Sequence, residues 1–210
     1  MHRHFTEHAN IEKLIRDRKP YHILELGSLN GENTSNLIKL QKELGFSLTI
    51  ISDDLPDNDY AEGVTYIKGV SYKEIPKLVD NSIDLCLLDT DHNYWTLIQE
   101  LVNLDSKLTV GAMILIHDVS TFYYNTGLAD WYADGSAYPL EEIMSTAKLG
   151  SLGVAIIHFL GKYPFNYHLT YWTEAENGLA IIQKNEPQVS LSLLRPGDKE
   201  SGKRKGMVNA

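Results

Sequence analysis

The chain has 210 residues, 43% hydrophobic and 22% charged, with a single cysteine, Cys86; one domain with an ordinary core is expected, and an internal disulfide or an all-cysteine metal cage is excluded. The net charge is −9, and because the last sixteen residues hold five basic against two acidic side chains, residues 1–194 carry −12. So acidic a body repels phosphate backbones, no run of about 18 apolar residues could cross a bilayer, and the polar start Met1 to His8 is no secretory signal, so the expectation is a cytoplasmic protein with no nucleic-acid and no membrane partner.

Ile11, Leu14 and Ile15 recur at helical spacing and Pro20 closes the segment, which predicts a helix over 7–18. The apolar run Tyr21 to Leu26 ends at Gly27 and reads as a buried strand; Thr34 to Leu44 reads as a helix stopped by Gly45. The alternation continues with strands at Leu48 to Ser52 and Val64 to Ile67, a short helix from Tyr72 to Val79 with an irregularity at Pro76, and a strand from Asp84 to Leu88. A helix from Tyr94 to Leu108 and a strand from Ala112 to Ile116 follow. Near-continuous apolar strands separated by helices predict an α/β fold: a doubly wound, Rossmann-like, mostly parallel sheet covered on both faces.

Beyond Val119 an aromatic segment, Phe122 to Tyr138, holds six of the 20 aromatic residues and reads either as a lid beside the crevice or as buried packing or an oligomer interface, which leaves a homo-oligomer open. Helical spacing returns at Leu140, Ile143 and Met144, and from Leu152 to Leu160, with Val154, Ile157 and Leu160 expected to face the sheet. Tyr167 to Trp172 and Leu179 to Ile182, joined by a short loop, predict a C-terminal antiparallel hairpin. The domain is expected to span 1–194, with 195–210 a basic, solvated tail.

The turn Glu25-Leu-Gly27-Ser28-Leu-Asn-Gly31-Glu-Asn-Thr34 joins a strand to a helix, where an open α/β sheet binds its ligand. It is not the dinucleotide fingerprint, because Leu29 and Glu32 stand where glycines are needed, which counts against a nicotinamide-dependent oxidoreductase. Asp53 and Asp54 follow the second strand, placed to accept ribose hydroxyls, and Glu25 adds a counter-charge for a cation. A cationic nucleoside without phosphate fits S-adenosylmethionine.

The fourth strand ends in Asp89-Thr-Asp91-His92 and the fifth in His117-Asp118. If those strands are neighbours, Asp89 and Asp118 face each other and either share a proton or hold a divalent, magnesium-like cation, with Asp91 and His117 in reach as further ligands. His92 reads as a general base or as a hydrogen-bond donor at the helix start.

These residues resemble the metal-dependent class I S-adenosylmethionine O-methyltransferases typified by macrocin O-methyltransferase, with the cephalosporin hydroxylase-like proteins as relatives. The resemblance rests on ILELGSLNGENT (23–34), LLDTDHNY (87–94), LTVGAMILIHDV (108–119) and NGLAII (177–182). It implies Mg2+ or a similar divalent cation at Asp89 and Asp118, with His117 beside them, and Asp91 as base with His92 as the alternative proton acceptor. It also implies a cofactor crevice lined by Glu25, Gly27, Ser28, Gly31, Thr34, Asp53, Ser71 and Asp89. The acceptor implied is a hydroxyl of a small molecule or sugar; transfer without a metal to another acceptor, or an inert nucleoside-binding module, are the alternatives. Thr90 replaces the commoner glycine, Val110 and Ala112 the usual Pro and second Gly, and His117 stands where some relatives carry an acid.

Overall fold

The computed structural model describes residues 11–28, 31–53, 61–119, 152–173 and 178–186. In chain order these form α1 (Ile11–Arg18), β1 (His22–Leu26), α2 (Glu32–Leu44), β2 (Ser47–Ser52), β3 (Val64–Lys68), α3 (Ser71–Glu74) running into a 3-10 turn (Ile75–Lys77), and β4 (Ile83–Leu88). Then come α4 (Tyr94–Leu104), β5 (Leu108–His117), α5 (Leu152–Lys162), β6 (Tyr167–Thr173) and β7 (Leu179–Lys184). The expected helical spacing at 140–144, the aromatic segment, Asp54 and the basic tail lie outside the described residues.

The strands form one seven-stranded sheet in the order β3-β2-β1-β4-β5-β7-β6. The first five are parallel, and β7 runs antiparallel to both β5 and β6. Because strand side chains alternate, each central strand feeds two cores. Leu24, Leu26, Cys86, Leu88, Ile114 and Ile116 pack with α4 and α5 on one face, while Ile23, Leu85, Leu87, Met113 and Leu115 pack with α1 and α2 on the other. Both faces are therefore apolar, as the near-continuous strand runs require. Among the described residues no helix is long and apolar enough to cross a membrane.

Three expectations need correction. α4 ends at Leu104 rather than Leu108, because Leu108 already pairs with Ile83 as the first residue of β5. β5 starts four residues earlier than Ala112: Gly111, at φ 81, lets the backbone turn through a left-handed conformation, and the ladder shifts register between Ile83 and Leu85 instead of ending. In α5 the buried stripe is Leu152, Ala155, Ile156 and Phe159, with Leu160 half-buried against the same core as expected, while Val154 is half-buried and Ile157 is 64% exposed. The helix is apolar almost all round, so periodicity alone did not single out a face.

Phe159 is fully buried against Tyr163 and Tyr167. Phe159→Ala is expected to lower stability by about 3–5 kcal/mol, whereas Ile157→Ala should stay within about 0.5 kcal/mol; urea denaturation of the two variants checks the assignment of the face.

Candidate functional site

The site forms at the C-terminal ends of the parallel strands, where β1 and β4 come closest. Gly27 leaves β1 at φ 81, and its amide donates to the Ile51 carbonyl at 2.9 Å. A Cβ on Gly27 would lie 2.2 Å from the carbonyl oxygen of Asp89, so only glycine lets the turn rest on the end of β4. Gly31, at φ 77, caps α2 with open space on the side where a Cβ would stand. Ser28 is buried, with its amide 3.3 Å from the Ser52 hydroxyl, and Asp53 is exposed directly after β2. The turn, the end of β2 and the end of β4 thus line one crevice.

Two buried carboxyls brace it. Glu25 accepts a 2.7 Å hydrogen bond from the Thr34 hydroxyl, tying β1 to the first turns of α2. Burial pushes its carboxyl up to about 8, against that hydrogen bond. Glu25 therefore sits buried beneath the turn as a brace, where burial favours its neutral form. Glu100, fully buried on α4, accepts from the hydroxyls of Ser71 and of Thr90, the latter at 2.9 Å, and burial lifts it to about 8 as well. Sequence reasoning passed over Glu100. The signal was present, because Glu100 shares the α4 stripe of Leu97, Leu101 and Leu104, where a lone acid must find polar partners.

Asn93 caps α4 by accepting from the Thr96 amide at 2.8 Å, which fixes the Asp91-His92 segment over the strand ends. His92 Nε2 lies 2.9 Å from Asp118 Oδ2 and 3.8 Å from Asp89 Oδ1. His117 Nδ1 lies 3.3 Å from Asp118 Oδ2 and 3.4 Å from Asp89 Oδ1. Burial disfavours both imidazolium ions, but the carboxylates outweigh it, raising His92 to about 10 and His117 to about 9. Burial also opposes charge on Asp89 and Asp118, and the same imidazoles still hold both carboxyls below their ordinary values. Asp118 adopts φ 56, rare for a residue with a Cβ, and its Oδ1 is buried with no hydrogen-bond partner among the described residues.

The structure thus brings together Asp89, His117 and Asp118, the expected cation ligands, and adds His92 to them; donor atoms of Asp89, His92 and Asp118 all lie within 4.8 Å of one another. Asp91 stands apart from this set. It is buried, its Oδ2 is 3.4 Å from the Thr96 hydroxyl, and its charge is felt at Glu100. On the cofactor side, Asn33 Nδ2 reaches Asp89 Oδ2 at 3.4 Å, linking α2 to the cluster. Ser71 is buried under the crevice through Glu100.

Residues 24–119 match a protein family described as a methyltransferase domain. No curated protein sequence matches the chain. Among solved structures, a putative caffeoyl-CoA O-methyltransferase from Staphylococcus aureus is 17% identical, with a TM-score of 0.56 over 83% of this chain and 81% of that one. TomG, an O-methyltransferase from Streptomyces achromogenes involved in tomaymycin synthesis and solved with S-adenosylmethionine, is 18% identical, with a TM-score of 0.55 over 83% and 78%. The MycE methyltransferase of the mycinamycin biosynthetic pathway, solved with Mg, S-adenosylhomocysteine and mycinamycin VI, is 15% identical, with a TM-score of 0.60 over 89% of this chain and 50% of that one. The present chain spans about half the length of MycE. At these identities the likeness establishes the shared Rossmann-like methyltransferase fold.

Two predictions follow from the geometry of the turn and its braces. Gly27→Ala is expected to destabilise the fold by about 2–5 kcal/mol, from the left-handed backbone and the overlap with β4 together, and Gly31→Ala by only about 1–2 kcal/mol; chemical denaturation separates them. For Glu100, the folded state keeps its proton while the unfolded chain loses it above 4.5, so stability falls as pH rises from about 4.5 to about 8. Glu100→Gln, which mimics the neutral acid, should show a smaller drop in urea midpoint between pH 5 and pH 8 than the parent protein.

Proposed function

We propose that the chain is an S-adenosylmethionine-dependent methyltransferase, whose residues 24–119 match a methyltransferase domain, and that it transfers the methyl group to a hydroxyl oxygen of a small molecule or sugar with the help of a divalent cation. The observation that carries this reading is the buried Asp89, His92, His117 and Asp118 cluster placed against the Gly27 turn, where the cofactor crevice of a doubly wound sheet lies. The metal-bound MycE and the cofactor-bound TomG, of the same fold, support it.

The residues present fit a cation: two carboxylates and the His92 imidazole converge within 4.8 Å, and Asp118 Oδ1 is buried with no hydrogen-bond partner among the described residues. Bound there, a divalent ion would lower the pKa of an acceptor hydroxyl, and vicinal hydroxyls could chelate it. The sulfonium of S-adenosylmethionine supplies the methyl group. This chain's residues supply the alignment. Gly27, Ser28 and Gly31 shape the turn, Asp53 offers a carboxylate for the ribose hydroxyls, and Glu25 with Thr34 and Glu100 with Ser71 and Thr90 hold the crevice walls in register. Asp91, outside the donor set and at the same strand end, is the proposed proton acceptor at a carboxylate oxygen.

Metal-independent transfer is a second reading, favoured by one observation: two imidazolium ions and two carboxylates balance their charge without a cation.

Calorimetric titration of the purified protein with S-adenosylhomocysteine, with NAD as control, is expected to show binding of the first ligand alone. Transfer of a labelled methyl group to a panel of sugars and catechols should then be lost on chelation, and Asp91→Asn should lower kcat by about 10²–10⁴-fold with S-adenosylhomocysteine affinity unchanged. Full activity in chelator would promote the metal-independent reading, and failure of the folded protein to bind S-adenosylhomocysteine would overturn both.

A further inference from the structure

Among the described residues, the Asp89, His92, His117 and Asp118 cluster holds as many imidazole nitrogens as carboxylates. Resting on the metal-assisted reading above, we infer that this site is built for a first-row transition cation of the Fe2+, Co2+ or Zn2+ kind, bound through Asp89, His92 and Asp118 with the His117 imidazole against the same two carboxylates, and not for Mg2+.

Mg2+ demands near-octahedral oxygen ligation and keeps several waters, so an imidazole is a poor exchange for an oxygen donor. Imidazole nitrogen suits the later first-row cations, whose affinity for mixed nitrogen and oxygen sites rises along the series to Cu2+. Around a four-coordinate ion with bonds of about 2.0–2.1 Å, neighbouring ligand atoms stand about 3.3–3.4 Å apart. His92 Nε2 stands 2.9 and 3.8 Å from the Asp118 and Asp89 oxygens, which bracket that edge, and donor atoms of these three residues lie within 4.8 Å of one another, while His117 Nδ1 lies 3.3 and 3.4 Å from the same two oxygens. Independently, Asp118 is 8% exposed and its Oδ1 has no hydrogen-bond partner among the described residues, which leaves a buried carboxylate oxygen beside the donor set. The frame is rigid enough to hold such a set. Asn93 caps the helix that follows His92, and β4 and β5 pair in parallel up to Leu88 and Ile116, one residue before Asp89 and His117.

The test titrates the full chain, stripped with chelator, with Co2+ and follows its visible absorption, whose intensity rises when coordination is four or five rather than six. A strong band at one equivalent is expected. It should be displaced by stoichiometric Zn2+ and survive a hundredfold excess of Mg2+. His92→Ala and His117→Ala should each weaken Co2+ binding by at least about tenfold and alter the band. Glutamine variants at both positions serve as a second pair, and circular dichroism checks that all four fold. Mg2+ competing on equal terms with Co2+, or histidine variants that bind Co2+ as the parent does, would overturn the inference. Calorimetry with S-adenosylhomocysteine on the same samples separates it from the functional reading. Co2+ binding of the expected kind without S-adenosylhomocysteine binding leaves the cation site standing and removes the methyltransferase reading. S-adenosylhomocysteine binding with no cation bound removes the cation site.

Discussion

The closest approach in the site is that of Gly27 to the Asp89 carbonyl, where a Cβ would come within 2.2 Å. The Asp89 amide also donates to the Leu26 carbonyl at 3.0 Å, so the last turn of β1 and the end of β4 are pinned by backbone alone. Everything downstream inherits that constraint. The turn after β1 can only be a glycine turn, Asp89 must leave its strand beside it, and the parallel pairing of β4 with β5 brings His117 and Asp118 to the same edge. Backbone contacts are the least adjustable in a protein, which makes this an economical way to hold a cofactor turn and a charged cluster at fixed separation.

Around that point the polar groups are organised by hydroxyls, not by free charge. Thr34 ties Glu25, and Ser71 and Thr90 tie Glu100, so each buried acid links elements that would otherwise meet only through apolar contact. Neutral acids serve this purpose better than carboxylates, because an unpaired buried charge costs far more than a hydrogen-bonded neutral group. The two outer acids, Asp89 and Asp118, differ: imidazoles face them and keep them ionised. The crevice therefore has neutral braces beneath and ionised groups at its edge, a separation that environment, not residue type, imposes.

How much of this was legible in the sequence depends on what kind of signal each feature leaves. The parallel strands were visible because they are buried on both faces and therefore read as unbroken apolar runs. The hairpin of β6 and β7 was visible from its short loop. The inward face of α5 was not, since apolar residues surround that helix and its burial is decided by the sheet it meets. The early start of β5 depended on the backbone freedom of Gly111, which a search for apolar runs does not register. In the site, the meeting of Asp89 with Asp118 followed from strand order. The place of His92 did not, because the cap made by Asn93 sets the direction of that segment, and single-residue spacing carries no such direction. The burial of Glu25 leaves no mark in the sequence, because an acid at the end of a strand looks the same whether it faces the interior or the solvent.

The imidazole of His117 bears on both carboxylates of the cluster. An oxygen at that position would add a third carboxylate to Asp89 and Asp118, and three acids so close would repel one another unless a hard, strongly charged cation neutralised them. An imidazole removes that need: with His92 it balances the two aspartates at 2.9–3.8 Å and lets the strand ends close without a bound ion. The same imidazole adds a nitrogen beside the two carboxylates. Charge balance within the cluster and a donor set richer in nitrogen are thus two consequences of one residue, and the cation proposed above would have to displace protons whose hold on the histidines the carboxylates strengthen.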